Sequence, residues 1–577
     1  MNADILLKHF DRISDAPDAI PRLRKFVLDL AVRGKLVEQD PNDEPASALL
    51  KRIQVEKSRS SKSSINKKGI SEIRPYSVPS NWEWTSLGSI SEKLTDGSHN
   101  PPRNVETGFP MLSSKNILDG AISFSNPTRY LTDKDFFEED ARTRIEPGDV
   151  LLTIVGTIGR SAVVPINAPR FALQRSVAVI RTNLYSNFLS IQLRSQSAQD
   201  YFIEHGKGTA QKGIYLGKLA SAPIAVPPLA EQHRIVAKVD ELMALCDQLE
   251  AARNERETRR DRLVSSSLNR ISTTAAEEVK EAARFHLDHL PRLTTRPEHI
   301  KQLRQTILNL AVRGRLVPQD PNDGNVRQML TGAFEGRRAL IKKGTLTKKF
   351  ITDAAWLNDS PFKLPKQWVF ASFDHLAKPV PNALKAGPFG SALKKEFYVG
   401  SGYKIYGQEQ VIKQDAHFGD YFISEKKFKE LQSCEVNPGD MLISLVGTIG
   451  KVLILPPNSK AGIINPRLIK MTLNSELVVS EYIRILLQAP WVREFLFAES
   501  HGTTMDVLNL TILRSLPIPL PPLAEQHRIV DKVDELMALC DQLENQLTTT
   551  EADSRRLLEA VLRDALVSPL EGGASYA

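Results

Sequence analysis

Two cations stand at the same place in two copies of one motif. Arg160 follows GDVLLTIVGTIG, residues 148–159, and Lys451 follows GDMLISLVGTIG, residues 439–450. A short apolar strand, a turn flanked by two glycines and then a positive charge can serve phosphate binding. Glycine lets the chain turn tightly, and its missing Cβ lets backbone N–H groups approach an anion. A plain hairpin turn uses the same residues, and the pattern does not choose between the two.

Other chemical motifs fail at identifiable positions. Asn100-Pro101-Pro102 matches three positions of the Asn-Pro-Pro-aromatic loop of adenine methyltransferases, but Arg103 stands where the ring belongs. Gly447 to Lys451 ends like a phosphate loop, yet Leu445 occupies the place of its first glycine and Val452 that of its Ser or Thr. His286 and His289 lack Cys or carboxylate partners at zinc spacing, so no metal ligands are expected. No Ser/His/Asp set and no paired carboxylates stand out. The chain is expected to have no catalytic centre and no cofactor of its own.

The elements around these residues come twice, and a long repeat period decides the architecture. Residues 227–250 (PPLAEQHRIVAKVDELMALCDQLE) return at 521–544 with a single change, Ala237 to Asp531. Leu23 to Asp43 returns at Leu303 to Asp323 with 15 of 21 positions identical. The middles differ, and the second is 14 residues longer. Ile235, Val239, Leu242, Cys246 and Leu249 are spaced 4, 3, 4 and 3, as are Ile529, Val533, Leu536, Cys540 and Leu543. That alternation is a coiled-coil seam, and two matching seams are expected to pair with each other. Pro227–Pro228 and Pro521–Pro522 set the helix starts, and the helices are expected to run to about Arg270 and Leu566. Leu23, Phe26, Val27, Leu30 and Ala31 share one face of a helix that Gly34 ends. The basic stretch Lys57–Lys68, and the one with Lys342, Lys343, Lys348 and Lys349, read as flexible linkers.

The predicted class is α+β: two globular domains separated by long helices in an internal pseudo-two-fold repeat. The expected boundaries are a helical scaffold segment at 1–60, a domain at 75–228, a central helical scaffold at 229–345, a second domain at 361–522 and a last helix at 523–566. The divergent inserts themselves, 75–222 and 361–516, each open on Pro-x-x-Trp, Pro79 to Trp82 and Pro365 to Trp368. They alternate β-branched runs with Gly, Asn and Pro turns before a helical stretch. A chain of 577 residues exceeds one core and suggests three to five folding units. Net charge +8 and a pI near 9.1 suit a polyanion partner. No apolar run approaches the ~18 residues of a membrane span, and MNADILLKHFDR lacks a signal-peptide layout. Only three cysteines occur, with Cys246 and Cys540 on apolar helix faces, so a reduced cytoplasmic protein is expected.

The Pro-Leu-Ala-Glu-Gln helix starts (228–232 and 522–526), the VGTIG strands and the AVRGKLV…QDPND segment (31–43) give the chain a resemblance to a known family. It resembles, over essentially its whole length, the specificity subunits of type I restriction–modification enzymes. The resemblance implies that each insert is a target recognition domain reading one half of a bipartite site in double-stranded DNA. It implies an antiparallel coiled coil between the domains and docking of two modification (methyltransferase) subunits and, in the full complex, of restriction subunits. S-adenosylmethionine, ATP and magnesium then belong to those partners, and this chain is not an enzyme. By analogy, the candidate DNA contacts are polar loop residues of the inserts. They are Asp96, Ser98, His99, Lys115, Asn116, Arg160, Gln174 and Arg175 in the first, and Ser391, Lys394, Lys395, Gln408, Lys451, Asn465 and Arg467 in the second. The rival reading is a non-catalytic coiled-coil adaptor that binds no DNA.

Overall fold

The computed structural model describes residues 16–59, 74–208, 212–274, 276–344, 361–445, 450–500 and 508–567. The chain forms two compact units, one from Met1–Arg256 with Thr550–Ala577, the other from Glu257–Thr549. Each 45-residue helix, Leu229–Thr273 and Leu523–Val567, contributes its first part to one unit and its second part to the other. The Pro-Pro pair precedes each by one position, and the ends fall within three residues of expectation.

In the first unit a scaffold helix, Ala19–Val32, lies against parts of both long helices. Its Val27, Leu28, Ala31 and Val32 pack with Ile235, Val236 and Val239. Its Phe26 and Leu30 pack with Leu558 and Leu562. Polar contacts fix the directions. Arg24 binds Asp247 and Glu250, while Gln39, beyond the helix, binds Glu231, so the scaffold segment runs antiparallel to the first long helix. Asp18 faces Arg555, Arg22 faces Glu559 and Lys35 reaches the Leu566 carbonyl, so it runs parallel to the second. The two long helices are therefore antiparallel within this unit. The second unit repeats the arrangement with scaffold helix Pro297–Val312. There Arg304 binds Asp541 and Glu544, Ser265 bonds Gln302, and Arg315 reaches the carbonyls of Ser272 and Thr274.

The cover of the repeated seams differs from expectation. Ile235 and Val239 are buried, and Leu242 half-buried, against their own scaffold helix, Trp82, Phe188 and Ile191. Cys246 is buried and Leu249 is exposed. Ile529, Val533 and Cys540 are buried, with Leu536 and Leu543 beside them, in the core that holds Ile300, Ile307, Leu308 and Trp368. A 4–3 spacing marks the buried face of a helix; which element covers it is a tertiary matter. The linker expectation also changes in part. Lys57 belongs to the helix Ala46–Arg59 and donates to the carbonyls of Gly88 and Ser89. Lys342 ends the helix Val326–Lys342, Lys343 caps it, and residues 60–68, Lys348 and Lys349 lie outside the described residues.

Each insert leaves and rejoins the scaffold through a two-stranded antiparallel stem. Glu83–Ser86 pairs with Pro223–Val226, and Val369–Ala371 with Ile518–Leu520. Beyond the stem the first insert has a four-stranded sheet in the order Ser91–Asp96, Val177–Thr182, Val150–Thr153, Ser161–Val163. The second has the same order in Leu384–Ala386, Leu468–Met471, Met441–Ser444, Val452–Ile454. A second sheet stands beside each: Arg129–Leu131, Phe109–Leu112, Ala172–Leu173 in the first, and five strands centred on Tyr403–Tyr406 in the second. The repeated Gly-Asp before the VGTIG strand is structural. Asp149 caps the turn at the Glu146 N–H and accepts from Arg181 and Lys93; Asp440 caps at the Asn437 N–H and accepts from Thr472.

An identical anchor joins stem, scaffold and long helix in both units. Trp82 Nε1 donates to Glu231 Oε2 at 3.0 Å, and Gln39 Nε2 to Glu231 Oε1 at 2.7 Å. Trp368 and Gln319 do the same to Glu525, at 2.9 and 2.5 Å. Arg234–Asp43 and Arg528–Asp323 pair alongside. Gly34 and Gly314 have φ of +68° and +66°, and a Cβ there would meet Pro79 or Pro365 at 2.5 Å, which explains the repeated glycine. Both glutamates are fully buried. Burial pushes their carboxyls up, and the hydrogen bonds from the Trp and Gln side chains hold them back only in part. A carboxyl raised in the folded state contributes stability below its unfolded pKa and loses that contribution as pH rises through its folded pKa. Glu525→Gln removes this dependence. The Tm of the unsubstituted chain should therefore fall relative to the variant as pH is raised from the glutamate range to neutrality. Parallel Tm curves for the two would show that Glu525 does not titrate differently on folding.

Candidate nucleic-acid interface

In each insert the loops that leave the two sheets meet at one place. In the first, the Ser98 N–H donates to the Leu173 carbonyl and the Arg175 N–H to the Ser98 carbonyl. The Gln174 N–H reaches Leu112, the Ser114 N–H reaches Ser176 Oγ, and the Ile154 N–H reaches the Ser176 carbonyl. Loops at 97–99, 113–116, 154–160 and 174–176 are thereby tied together. In the second, the Gly387 N–H donates to Leu468, the Asn465 N–H to Tyr406 and the Leu445 N–H to Arg467. Gln408 Nε2 donates to Ser444 Oγ at 2.8 Å. The same strand ends supply the same loops, although few loop residues match.

The candidate residues divide by what they touch. His99, Lys115 and Arg175 are exposed on the first cluster, and Arg160 and Gln174 are half-buried there. Ser391, Lys394, Lys395, Lys451 and Arg467 are exposed in the second domain, and Gln408 and Asn465 are half-buried. Asp96 and Ser98 are buried supports. Arg142 holds Asp96 at 2.5 Å, Asp96 Oδ2 lies 2.9 Å from His99 Nε2, and Ser98 Oγ donates to Glu139 at 2.8 Å. Glu139 and Arg142, on the helix Asp133–Thr143, were not among the expected residues. They stand more than 40 positions from their partners, so no local pattern marks them.

One expectation is corrected, and one open reading is decided. Asn116 is buried; its Oδ1 accepts from the Ser113 N–H, and its Nδ2 faces the carbonyls of Ser123, Ser125 and Asn126. With its amide committed to the loop, it has no group for a base. The VGTIG turn of the first insert is a structural hairpin rather than a phosphate cradle. Its N–H groups at Gly156, Ile158, Gly159 and Arg160 donate to Lys212 O, Gly156 O, Thr153 O and Thr153 Oγ1. Gly159 stands at φ +95°, a conformation that favours glycine, and the Gln199 amide occupies the space beside it. Val446 to Ile449 of the second copy lie outside the described residues. Thr209, Gly502 and Thr503, of a further recurring Gly-Thr pair, also do. Cys246, Cys434 and Cys540 are free and buried. Among the described residues no His/Cys/Asp/Glu group could hold a metal ion, and no helix is long and apolar enough to cross a membrane.

Residues 79–256 and 389–550 match the type I restriction modification DNA specificity domain. The type I restriction enzyme EcoEI specificity subunit of Escherichia coli is 30% identical over 95% of this chain and 94% of its own length. The EcoAI specificity subunit of Escherichia coli is 28% identical over the same shares. A solved HsdS subunit from Thermoanaerobacter tengcongensis aligns with 85% of this chain and 98% of its own, at 20% identity and a TM-score of 0.39. Two matched domain regions on a duplicated helical scaffold, with relatives along nearly the full length, place the chain in the family of type I restriction–modification specificity subunits. Such a subunit is a non-catalytic component of its system.

Proposed function

We propose that the chain reads an asymmetric bipartite DNA site with an unread spacer, one half-site per insert. It docks two identical modification subunits and, through them, restriction subunits. S-adenosylmethionine, ATP and magnesium act on those partners, in the cytoplasm. Different inserts on matching stems suit an asymmetric target, since identical readers would favour a repeated half-site. The observation that carries the two-partner reading is the repeated helix surface. Ala230, His233, Asp240, Glu241, Ala244, Leu245 and Gln248 are exposed, and identical residues are exposed at 524, 527, 534, 535, 538, 539 and 542. The chain's own packing constrains exposed residues less than buried ones. Identity ends after Glu250 and Glu544 although both helices continue. A surface kept twice fits one partner bound twice.

The test is methyl transfer to DNA. The purified chain alone should give none. Chain plus the modification subunit of the same host should methylate adenines in a site with two short specified halves. Methylation by the chain alone, or a single uninterrupted site, would overturn this reading. A stable protein complex that ignores DNA would return the adaptor.

A further inference from the structure

We propose that Phe389 is an apolar wedge that contacts bases in the half-site read by the second domain; this rests on the function proposed above. Strand register places it. Gly97 and Gly387 each follow the edge strand of the four-stranded sheet, and each donates its N–H across to the strand pairing with it, at Val177 and Leu468. A Cβ on Gly97 would lie 2.2 Å from the Leu173 carbonyl oxygen, and one on Gly387 1.9 Å from that of Asn465. Two residues beyond these glycines stand His99 and Phe389. The same loop tip therefore carries an imidazole held by Asp96 in one domain and a bare aromatic ring in the other.

Phe389 is 84% exposed, so it contributes little to the core. The Gly387 approach fixes the loop base, and Gly390, at φ +57°, turns the chain just after the ring. Ser391, Lys394 and Lys395 follow the ring closely in the chain and are exposed, with Lys394 facing Glu396 at 3.6 Å, and exposed Arg467 lies two residues beyond Asn465, whose carbonyl Gly387 approaches. An apolar ring amid cations suits a duplex: the cations meet phosphates, and the ring enters a groove against base faces or unstacks a step. A polar-only search for readers passes over such a side chain. Its sequence signal is an aromatic residue between glycines, Gly387-Pro388-Phe389-Gly390, just ahead of two lysines.

The experiment compares Phe389→Ala, Phe389→Leu and the unsubstituted chain, each assembled with the modification subunit. Adenine methylation is mapped on genomic DNA, and binding is measured on a duplex carrying the mapped site. The alanine variant should lose at least about tenfold in affinity and relax base choice at one or two adjacent positions of the second half-site. The first half-site should stay unchanged, and leucine should retain part of the effect. Thymines near the step should lose permanganate reactivity in the alanine complex. An unchanged map and affinity would overturn the proposal. So would release of the modification subunit with DNA choice intact, which would assign the ring to a protein interface. Exchanging the whole insert tests the underlying function separately. If exchange moves the half-site and Phe389→Ala does not alter it, only the role of Phe389 falls; if exchange moves nothing, both fall.

Discussion

Trp368→Ala should destabilise the second unit by about 3–5 kcal/mol, the range for truncating a large buried aromatic side chain. The ring is 3% exposed and packs in the cluster that holds the second scaffold helix and the start of the long helix. Its loss leaves a cavity beside Gly314, where a Cβ would stand 3.0 Å from the ring. It also leaves Glu525 buried with one fewer donor, which adds roughly 1–3 kcal/mol if water does not replace the N–H. Trp368→Phe separates the two effects, because it keeps most of the ring and loses only the donor. Trp82→Ala should act alike in the first unit, where Glu231 and Gln39 repeat the anchor. Urea unfolding of the full chain, with hydrogen exchange at 369–371 and 518–520, reads the result. A Trp368→Ala chain with unchanged midpoint and exchange would mean that the anchor does not hold the stem.

That anchor also marks how far the sequence could be read. The repeat, the helix starts at Pro227 and Pro521, the turn at Gly34 and the α+β inserts all depend on local spacing, and local spacing is visible in one dimension. Glu231 was visible as part of a repeated string, but its bond to Trp82 joins positions 149 apart. The seam gave the buried face of the long helix without its cover. One pattern misled and another stayed open, for one physical reason. Asn116 and the VGTIG turn carry the kinds of group that suit nucleic acid, yet in the fold those groups are engaged within their own loop and hairpin. Donor chemistry is legible from residue types; whether a donor is already engaged depends on how the loop folds back on itself, which spacing alone does not reveal. Phe389 shows the converse, since an exposed aromatic ring is what polarity-based reading discards.

Grafting the first insert into the second position should make both recognised half-sites the same. The stems permit the graft. Both join ingoing and outgoing strands by direct antiparallel pairing, so the insert's ends already lie side by side, a geometry that tolerates domain replacement. Replacing Phe373–Leu516 by Leu87–Ala222 keeps the strands Val369–Ala371 and Ile518–Leu520 and leaves Trp368 on Glu525. The scaffold offers the graft the same partners. Gln232 Oε1 accepts the Tyr185 N–H at 2.9 Å in the first unit, and Gln526 Oε1 accepts the Val479 N–H at 2.7 Å in the second. Asp29 accepts the Gln196 N–H, and Asn309, its counterpart in the second scaffold helix, has an amide oxygen able to do so. Methylation mapping of the graft with the modification subunit should then return the first half-site twice. The former second half-site should lose its protection, because specific over non-specific DNA binding spans about 10³-fold or more. A map that keeps the original pair, in a graft that still methylates DNA, would separate sequence reading from the inserts and move it to the duplicated helices.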